Sequence, residues 1–491
     1  MKKGILGLVL SIFAIQLYAQ APLTEVDALR FSRSFGLQGT ASSVGKAGAI
    51  GALGGDLSSM SSNPAGLGIF SRSELSYSPM WQWNNNDSKY EGRDGFGSDH
   101  SSRFGTFSAV FVYGVDEKKF SGFKSFQLGI GKNRLEQYNN TFSARGKAST
   151  SAVDEWLYLA GRYGFDNYKV DLVERAGLLF YDTVINGYRT PIVDTINYPG
   201  ELTHKRNVVE KGGAWDYSIS YAANYQDFLY LGLSVGLPEF EYKKTSVYSE
   251  DDHLGAMPDF DYFDYKETSE VEGTGFNLKM GAMVRATDWL RVGLAYHTPT
   301  YYTVDSWYYT DIESQVFNRK HFVYSDDYYN PELSYSLRTP GKFLGSLAFV
   351  YGNQHSKLAG TLSADYEYTN YASMRYSSIN GVYWTEENQW IKDTYKASHT
   401  VRVGGQVNIE KIAFRLGYAF FSSPYKDKQF ESDQYAITTG IGYRNRWYYI
   451  DLAYVYMHKE DKQLMYDAYD MSLVDMKYNK SNLMLTLGIR F

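Results

Sequence analysis

The side chains with most chemical potential are cations set singly into strand-like runs. They are Lys279 and Arg285 in FNLKMGAMVR, Arg291 in WLRVGLAYH, Arg402 in HTVRVGGQV and Arg415 in IAFRLGYAFF. Acids hold equivalent places: Asp365 and Glu367 in LAGTLSADYEY and Asp451 in WYYIDLAYVYM. On an extended chain alternate residues share a face, so each charge stands with small or polar neighbours and opposite a row of Leu, Val, Phe and Tyr. Cations so placed can hold an anion or pair with the acids of the same face. Catalysis is not expected. The chain has no Cys, which removes thiol nucleophiles and Cys-based metal sites, and its 8 His show no H-E-x-x-H spacing. We expect no catalytic residue, no metal and no cofactor.

The elements that position these charges follow from composition and period. Among 491 residues there are 46 Tyr, 28 Phe and 45 Gly. Tyr and Phe favour strands, and Gly suits turns and crowded walls. Mean hydropathy is -0.40, and no run after the first twenty residues is apolar enough to cross a bilayer as a helix. A net charge of -6 gives no reason to expect nucleic acid. Residues 1–19 read as a secretory signal peptide: Lys2 and Lys3, an apolar run from Ile5 to Ile15, then a small residue at Ala19, with cleavage expected there.

From about Arg72 the period is two. In the final NLMLTLGIRF, Leu483, Leu485, Leu487, Ile489 and Phe491 share one face, opposite Asn482, Met484, Thr486, Gly488 and Arg490. A soluble sandwich turns such an apolar face inward; a membrane barrel turns it outward around a polar interior. About fourteen such segments alternate between short and long connections, the pattern of a membrane barrel. Tight turns are expected at Gln226-Asp227, Ala286 to Asp288, Gly352 to His355, Asn408 to Glu410 and Arg444 to Arg446. Long polar loops are expected near 84–102, 136–212, 249–262, 310–330, 373–395, 422–432 and 459–477, the largest with a helix around Asp154 to Arg162. Aromatic clusters such as SWYYT and NRWYY fall at strand ends, where headgroups would lie. The expected fold is therefore all-β: a transmembrane antiparallel β-barrel over 71–491. Residues 20–70 differ. Thr24 to Arg33 can form a capped short helix, and the small residues after it cannot bury much apolar surface unaided.

Several stretches carry a family resemblance. GKAGAIGALGGDLSSMSSNPAGLGIFSRSELSYSP, with its Asn63-Pro64-Ala65-Gly66 core, resembles the N-terminal signature of the FadL/TodX family of outer-membrane transporters for hydrophobic compounds. RVGLAYHTP, FRLGYAFFSSPY and ITTGIGYRNRWYYIDLAYVYMHKE follow in family order, and the chain ends on the aromatic Phe491. The resemblance implies a barrel of about fourteen strands whose lumen is closed by residues 20–70 as a hatch, with Asn63 to Gly66 at the turn into the first strand. It implies passive uptake of hydrophobic compounds such as long-chain fatty acids across a Gram-negative outer membrane. A lumen cation then holds the carboxylate head: Arg402 and Arg415 first, then Arg291 and Lys279. Exit is sideways through a wall opening, and Pro238, Pro299 or Pro340 can mark it because proline cannot donate to a strand ladder. The implied surroundings are outer-membrane lipid and lipopolysaccharide, with barrel assembly machinery engaging Phe491, and a monomer. The alternative is a barrel of this type serving as a protein secretion or assembly partner. A lipase or protease with a triad gathered from distant strands is a further rival, as is a polar-solute porin, against which a hatch and few lumen charges would count.

Overall fold

The computed structural model describes residues 24–116, 119–164, 168–192, 202–252, 255, 257–324, 333–352, 357–379, 383–466 and 473–491. The signal peptide and its cleavage point lie outside them. Fourteen antiparallel wall strands run in order. They are β1 Glu74–Tyr90, β2 Arg93–Gly114, β3 Phe123–Gln137, β4 Leu202–Tyr225, β5 Leu229–Asp251 and β6 Phe260–Arg285. Next come β7 in two pieces, Leu290–His297 and Tyr301–Val316; β8 as Leu333–Arg338 and Lys342–Tyr351; and β9 as Leu358–Asn370 and Arg375–Ser378. Then follow β10 Ala397–Ile409, β11 Ile412–Phe421, β12 Gln434–Arg444, β13 Tyr448–Leu464 and β14 Leu473–Arg490. β14 pairs back onto β1 from Glu74↔Arg490 to Lys89↔Asp475, so the sheet closes.

The alternating rows face as a membrane barrel requires. Leu416 is 65% exposed on the outer surface, while its neighbour Arg415 is 5% exposed inside. Leu231, Leu294, Leu362, Ile437, Ile450 and Ile489 continue the outer apolar band, and Asp365, Arg402, Asp451, Asn482 and Thr486 are buried within.

β5 and β6 have 23 and 26 residues. A membrane crossing needs only about 9–11. The surplus stands beyond the membrane at the long-connection end, and it corrects several expected loops. The stretch 84–102 is a paired hairpin from Asn84↔Asp99 to Tyr90↔Arg93, turning at Glu91-Gly92. In 310–330, β7 runs to Val316 and the strand Arg319–Tyr324 pairs back on it. In 459–477, β13 and β14 stay paired to Leu464↔Leu473. Above the membrane the outer face no longer needs apolar residues, so pairing persists where the hydrophobic alternation stops. Among the tight turns, Gln226 and Asp227 both have positive φ, as a two-residue hairpin turn demands. The turn expected at Asn408 to Glu410 falls one residue later, at Glu410-Lys411. The next falls at Asn445 to Trp447, and only Gly352 of the Gly352–His355 turn is described.

Two bodies fill this cylinder. The large connection carries helices α3, Ala152–Tyr163, and α4, Tyr168–Arg175. They cap the long-connection end over a core that includes Trp156, Leu172, Phe260, Phe263 and Ile312. The N-terminal segment lies inside the barrel. Its helix α1, Glu25–Ser32, is capped by Thr24, which accepts from the Asp27 amide. α1 packs Leu29 and Phe31 against wall aromatics and against Ile391 of helix α5, Thr385–Thr394, in the connection after β9. Phe31 stacks on Phe240 with ring centroids 4.3 Å apart. Below α1 the small-residue chain, with the one-turn helix α2, Ala41–Val44, winds through the lumen, buried almost throughout from 37 to 60.

Candidate functional site

The hatch is keyed to the wall by backbone groups that need partners. Asp365 accepts from the Ile50 and Gly51 amides at 3.1 and 3.0 Å, and Ser363 donates to the Ala49 carbonyl at 2.6 Å. Thr486 and Thr438 accept from the Ala41 and Ala47 amides at 2.7 and 3.0 Å. Asn63 caps the 3-10 helix Pro64–Ile69 and donates to the Gly51 carbonyl at 2.7 Å and the Ala282 carbonyl at 3.3 Å. A Cβ on Gly281 would stand 1.9 Å from the Asn63 oxygen, and one on Gly232 would stand 2.2 Å from the Pro64 carbonyl carbon. The Asn63 to Gly66 motif thus seats the hatch in glycine notches of β5 and β6.

Two of the cavities that flank this plug are lined by the candidate cations. The upper one, about 160 Å³, lies between α1 and the wall. The lower one, about 350 Å³, opens at the short-turn end. The four candidate head-group cations divide between them. Lys279 and Arg402 line the upper cavity, Arg291 and Arg415 the lower. Each has a partner. Lys279 pairs with the buried Asp216. Arg402 directs both terminal nitrogens to Glu367 at 3.1 and 3.0 Å, and one also reaches the Phe35 carbonyl at 3.3 Å. Arg415 pairs with Asp451 at 2.7 Å and donates to Gln406 at 2.7 Å. Arg291 donates to the Leu53 carbonyl at 2.7 Å.

Arg402 and Arg415 are on adjacent strands but do not converge. Arg415 stands opposite Gln406, four residues along β10 from Arg402. That is about 13 Å of strand. The hatch backbone at Lys46 and Ala47 passes against Gly404 and Gly417 in between.

The upper cavity holds more charge than the few lumen charges expected, because Asp216, Lys342 and His297 also line it. Lys342 reaches Glu367 at 3.5 Å, and His297 sits 2.6 Å from the Ser62 carbonyl. Asp216 was legible: in WDYSIS it alternates with Ser218 and Ser220, and all three are buried. Several buried atoms around this cavity lack a protein partner, among them one oxygen each of Asp216, Asn277 and Asp365 and the Arg402 Nε. The run Gly232-Leu233-Ser234-Val235-Gly236 spells G-x-S-x-G. It lies within β5, not at a strand-to-helix turn, and Ser234 accepts from Ser220 at 2.8 Å, so it is wall and not a nucleophile elbow.

Two of the three prolines, Pro299 and Pro340, stand side by side, and Pro238 lies about three residues off in register. β5 pairs with β6 at Gly236↔Asn277 and again at Glu239↔Thr274, leaving Leu237 and Pro238 out of that ladder. β7 breaks at 298–300, around Pro299, and β8 at 339–341, around Pro340. The breaks align: His297 faces Lys342, and Tyr301 faces both Phe276 and Arg338. Thr298, Thr300, Thr339 and Pro340 line the upper cavity from this level. On the outer surface Met280, Leu294, Tyr296, Phe343, Tyr366 and Tyr368 line an apolar groove of about 480 Å³. Leu344 lines both spaces.

A closed fourteen-strand wall, a lumen-filling N-terminal hatch and an apolar exterior define an all-β barrel of the outer-membrane type. No protein-family model matches the sequence, and no curated protein sequence does. Solved structures match over nearly the whole chain. The P. putida toluene transporter TodX aligns with TM-score 0.53 at 11% identity, over 92% of this chain and 99% of that one. A Pseudomonas aeruginosa FadL homologue gives 0.51 at 14%, over 94% and 99%. The Ralstonia pickettii toluene transporter TbuX gives 0.50 at 15%, over 93% and 100%. The chain shares the fold of these barrels.

Proposed function

We propose that the protein is a passive outer-membrane channel for the uptake of hydrophobic compounds, long-chain fatty acids among them. The observation that carries this reading is Leu344. It stands four residues past Pro340, its side chain is turned to the hatch, and it is the residue common to the linings of the inner cavity and the outer apolar groove. A hydrophobic solute gains by leaving a lumen for lipid through such a place, whereas a polar solute does not. In the resting arrangement the inner cavity of about 160 Å³ suits one small ring. An engineered cavity of about 150 Å³ in another protein holds benzene. A longer chain needs the hatch to shift, with Lys279 or Arg402 exchanging a carboxylate partner for the head of the ligand. Uptake is downhill and needs no energy source. The exposed Phe491 is the contact for barrel assembly machinery, lipid and lipopolysaccharide surround the wall, and the unit is a monomer.

The test is uptake of radiolabelled toluene and oleate by a deletion strain carrying wild type, Leu344→Ala or Leu344→Trp. The reading predicts faster uptake with Ala and slower with Trp, and it fails if neither changes the rate. The second reading, a secretion or assembly partner, has one observation in its favour. On the cap, the hairpin tip between Phe180–Asp182 and Gly187–Arg189 exposes Val184 by 91% and Ile185 by 50%. A deletion strain with normal uptake but lost secretion of a protein set would favour it.

A further inference from the structure

The lower cavity is not used by exit through the wall, and its lining is amphipathic. Its volume of about 350 Å³ is that of a small-molecule pocket. One side is apolar: Leu53 and Ile69 of the hatch with Val350 of β8, and Leu53 and Val350 belong to one packed cluster. The other side is cationic, with Lys46 from the hatch, Arg415 from β11 and Arg444 at the end of β12.

Lys46 is the informative residue. It is 7% exposed, and among the described residues its side-chain ammonium makes no hydrogen bond and no ion pair. The nearby acids are engaged elsewhere. Asp451 serves Arg415 at 2.7 Å and Arg444 at 3.9 Å. Asp56 accepts from Thr40 at 2.8 and 2.9 Å and from the Ser58 amide at 2.9 Å. A lysine this enclosed, opening on a cavity it shares with two guanidinium groups, is costly as a charge unless an anion joins it.

We propose that this cavity binds an amphiphilic monocarboxylate, its head on Lys46 and Arg444 and its tail along Leu53, Ile69 and Val350. The choice of a carboxylate rests on the uptake reading. The site itself opens among the turn residues Glu410 and Lys411, so it is reached from the short-turn side whichever way cargo crosses the wall.

The test titrates purified full-length protein with octanoate, using octanol, toluene and inorganic phosphate as comparison probes. Octanoate is expected to bind, with octanol weaker. Lys46→Gln and Arg444→Gln should each weaken octanoate about ten-fold, as the loss of one charged hydrogen bond does. Toluene binding should be the same in all three proteins. Arg444 is at the mouth, its side chain 39% exposed, so its variant reports on the site even if Lys46→Gln loosens the hatch. Octanoate affinity unchanged by both variants would overturn the proposal. So would phosphate displacing octanoate as effectively as octanoate itself. Loss of octanoate binding in the variants, with no toluene uptake by any protein, would uphold the site and sink the transport reading. Normal toluene uptake with octanoate binding indifferent to both variants would do the reverse.

Discussion

The buried charges of the lumen decide the residue scale, because each is expensive alone and tolerable in company. Arg402→Met leaves Glu367 with Lys342 as its remaining cation at 3.5 Å. Breaking such a buried pair costs about 3–5 kcal/mol. The unfolding midpoint in urea should fall accordingly, and Arg402→Met with Glu367→Gln should recover most of it. If Arg402 also holds a carboxylate head, the double variant regains stability but not oleate binding. The glycine notches give a second expectation. Gly281→Ala sets a methyl where the Asn63 oxygen now sits, 1.9 Å from the added carbon. Overpacking of this kind costs about 1–3 kcal/mol. The hatch should yield before the wall does, so trypsin cleavage within residues 24–72 should rise while the barrel stays folded. Sequence reading found these charges because alternation alone assigns a face. It could not find their partners, since Asp216 and Lys279 are 63 positions apart and their pairing depends on barrel register.

At the scale of elements, the membrane half of each strand was legible and the upper half was not. In β11 the outward Phe414, Leu416 and Tyr418 alternate with inward Arg415 and Gly417, and the structure keeps that alternation. In β1, Asn84, Asn86 and Ser88 face inward with no apolar row opposite, so the stretch reads as a loop although it is paired. The cap has a chemical hinge there, well above the membrane. Glu250 near the end of β5 accepts from the Ser151 hydroxyl and Ala152 amide at the start of α3, both at 2.6 Å, and from Tyr248 at 2.8 Å. Burial outweighs these three donors and pushes its carboxyl up to about 7, from the ordinary 4.5. The docked form therefore keeps a proton that the undocked form releases. Docking is strongest below about pH 4.5, weakens as pH rises toward 7, and levels off above it, a span of roughly 3 kcal/mol. Proteolysis of α3 should increase across that window in wild type, and Glu250→Gln should flatten the profile. The breaks at Pro238, Pro299 and Pro340 belong to this scale too. Each proline was visible in the sequence, but their grouping, Pro299 beside Pro340 and Pro238 about three residues off, emerges only from the register of β5 to β8.

The whole molecule is a barrel whose resting lumen is filled and whose strand pairing from β5 to β8 is interrupted beside the filling. Composition, period and the alternation of connections pointed to the barrel, and the resemblance of the small-residue N-terminal segment to a family signature implied the plug. The coincidence of cavity, break and groove came from the three-dimensional arrangement. The plug must move for a long solute to pass, and the absence of Cys allows a clean lock. A Cβ on Gly51 of the hatch would lie 3.0 Å from the Ser346 Cβ on β8, close to disulfide range after slight relaxation. The measurement is uptake of radiolabelled oleate by a deletion strain expressing Gly51→Cys with Ser346→Cys, before and after oxidation. The account predicts uptake near wild type when reduced, background uptake when oxidised, and recovery on reduction. Uptake equal to that of the wild type in the fully cross-linked protein, or equal in strains with and without the protein, would contradict it.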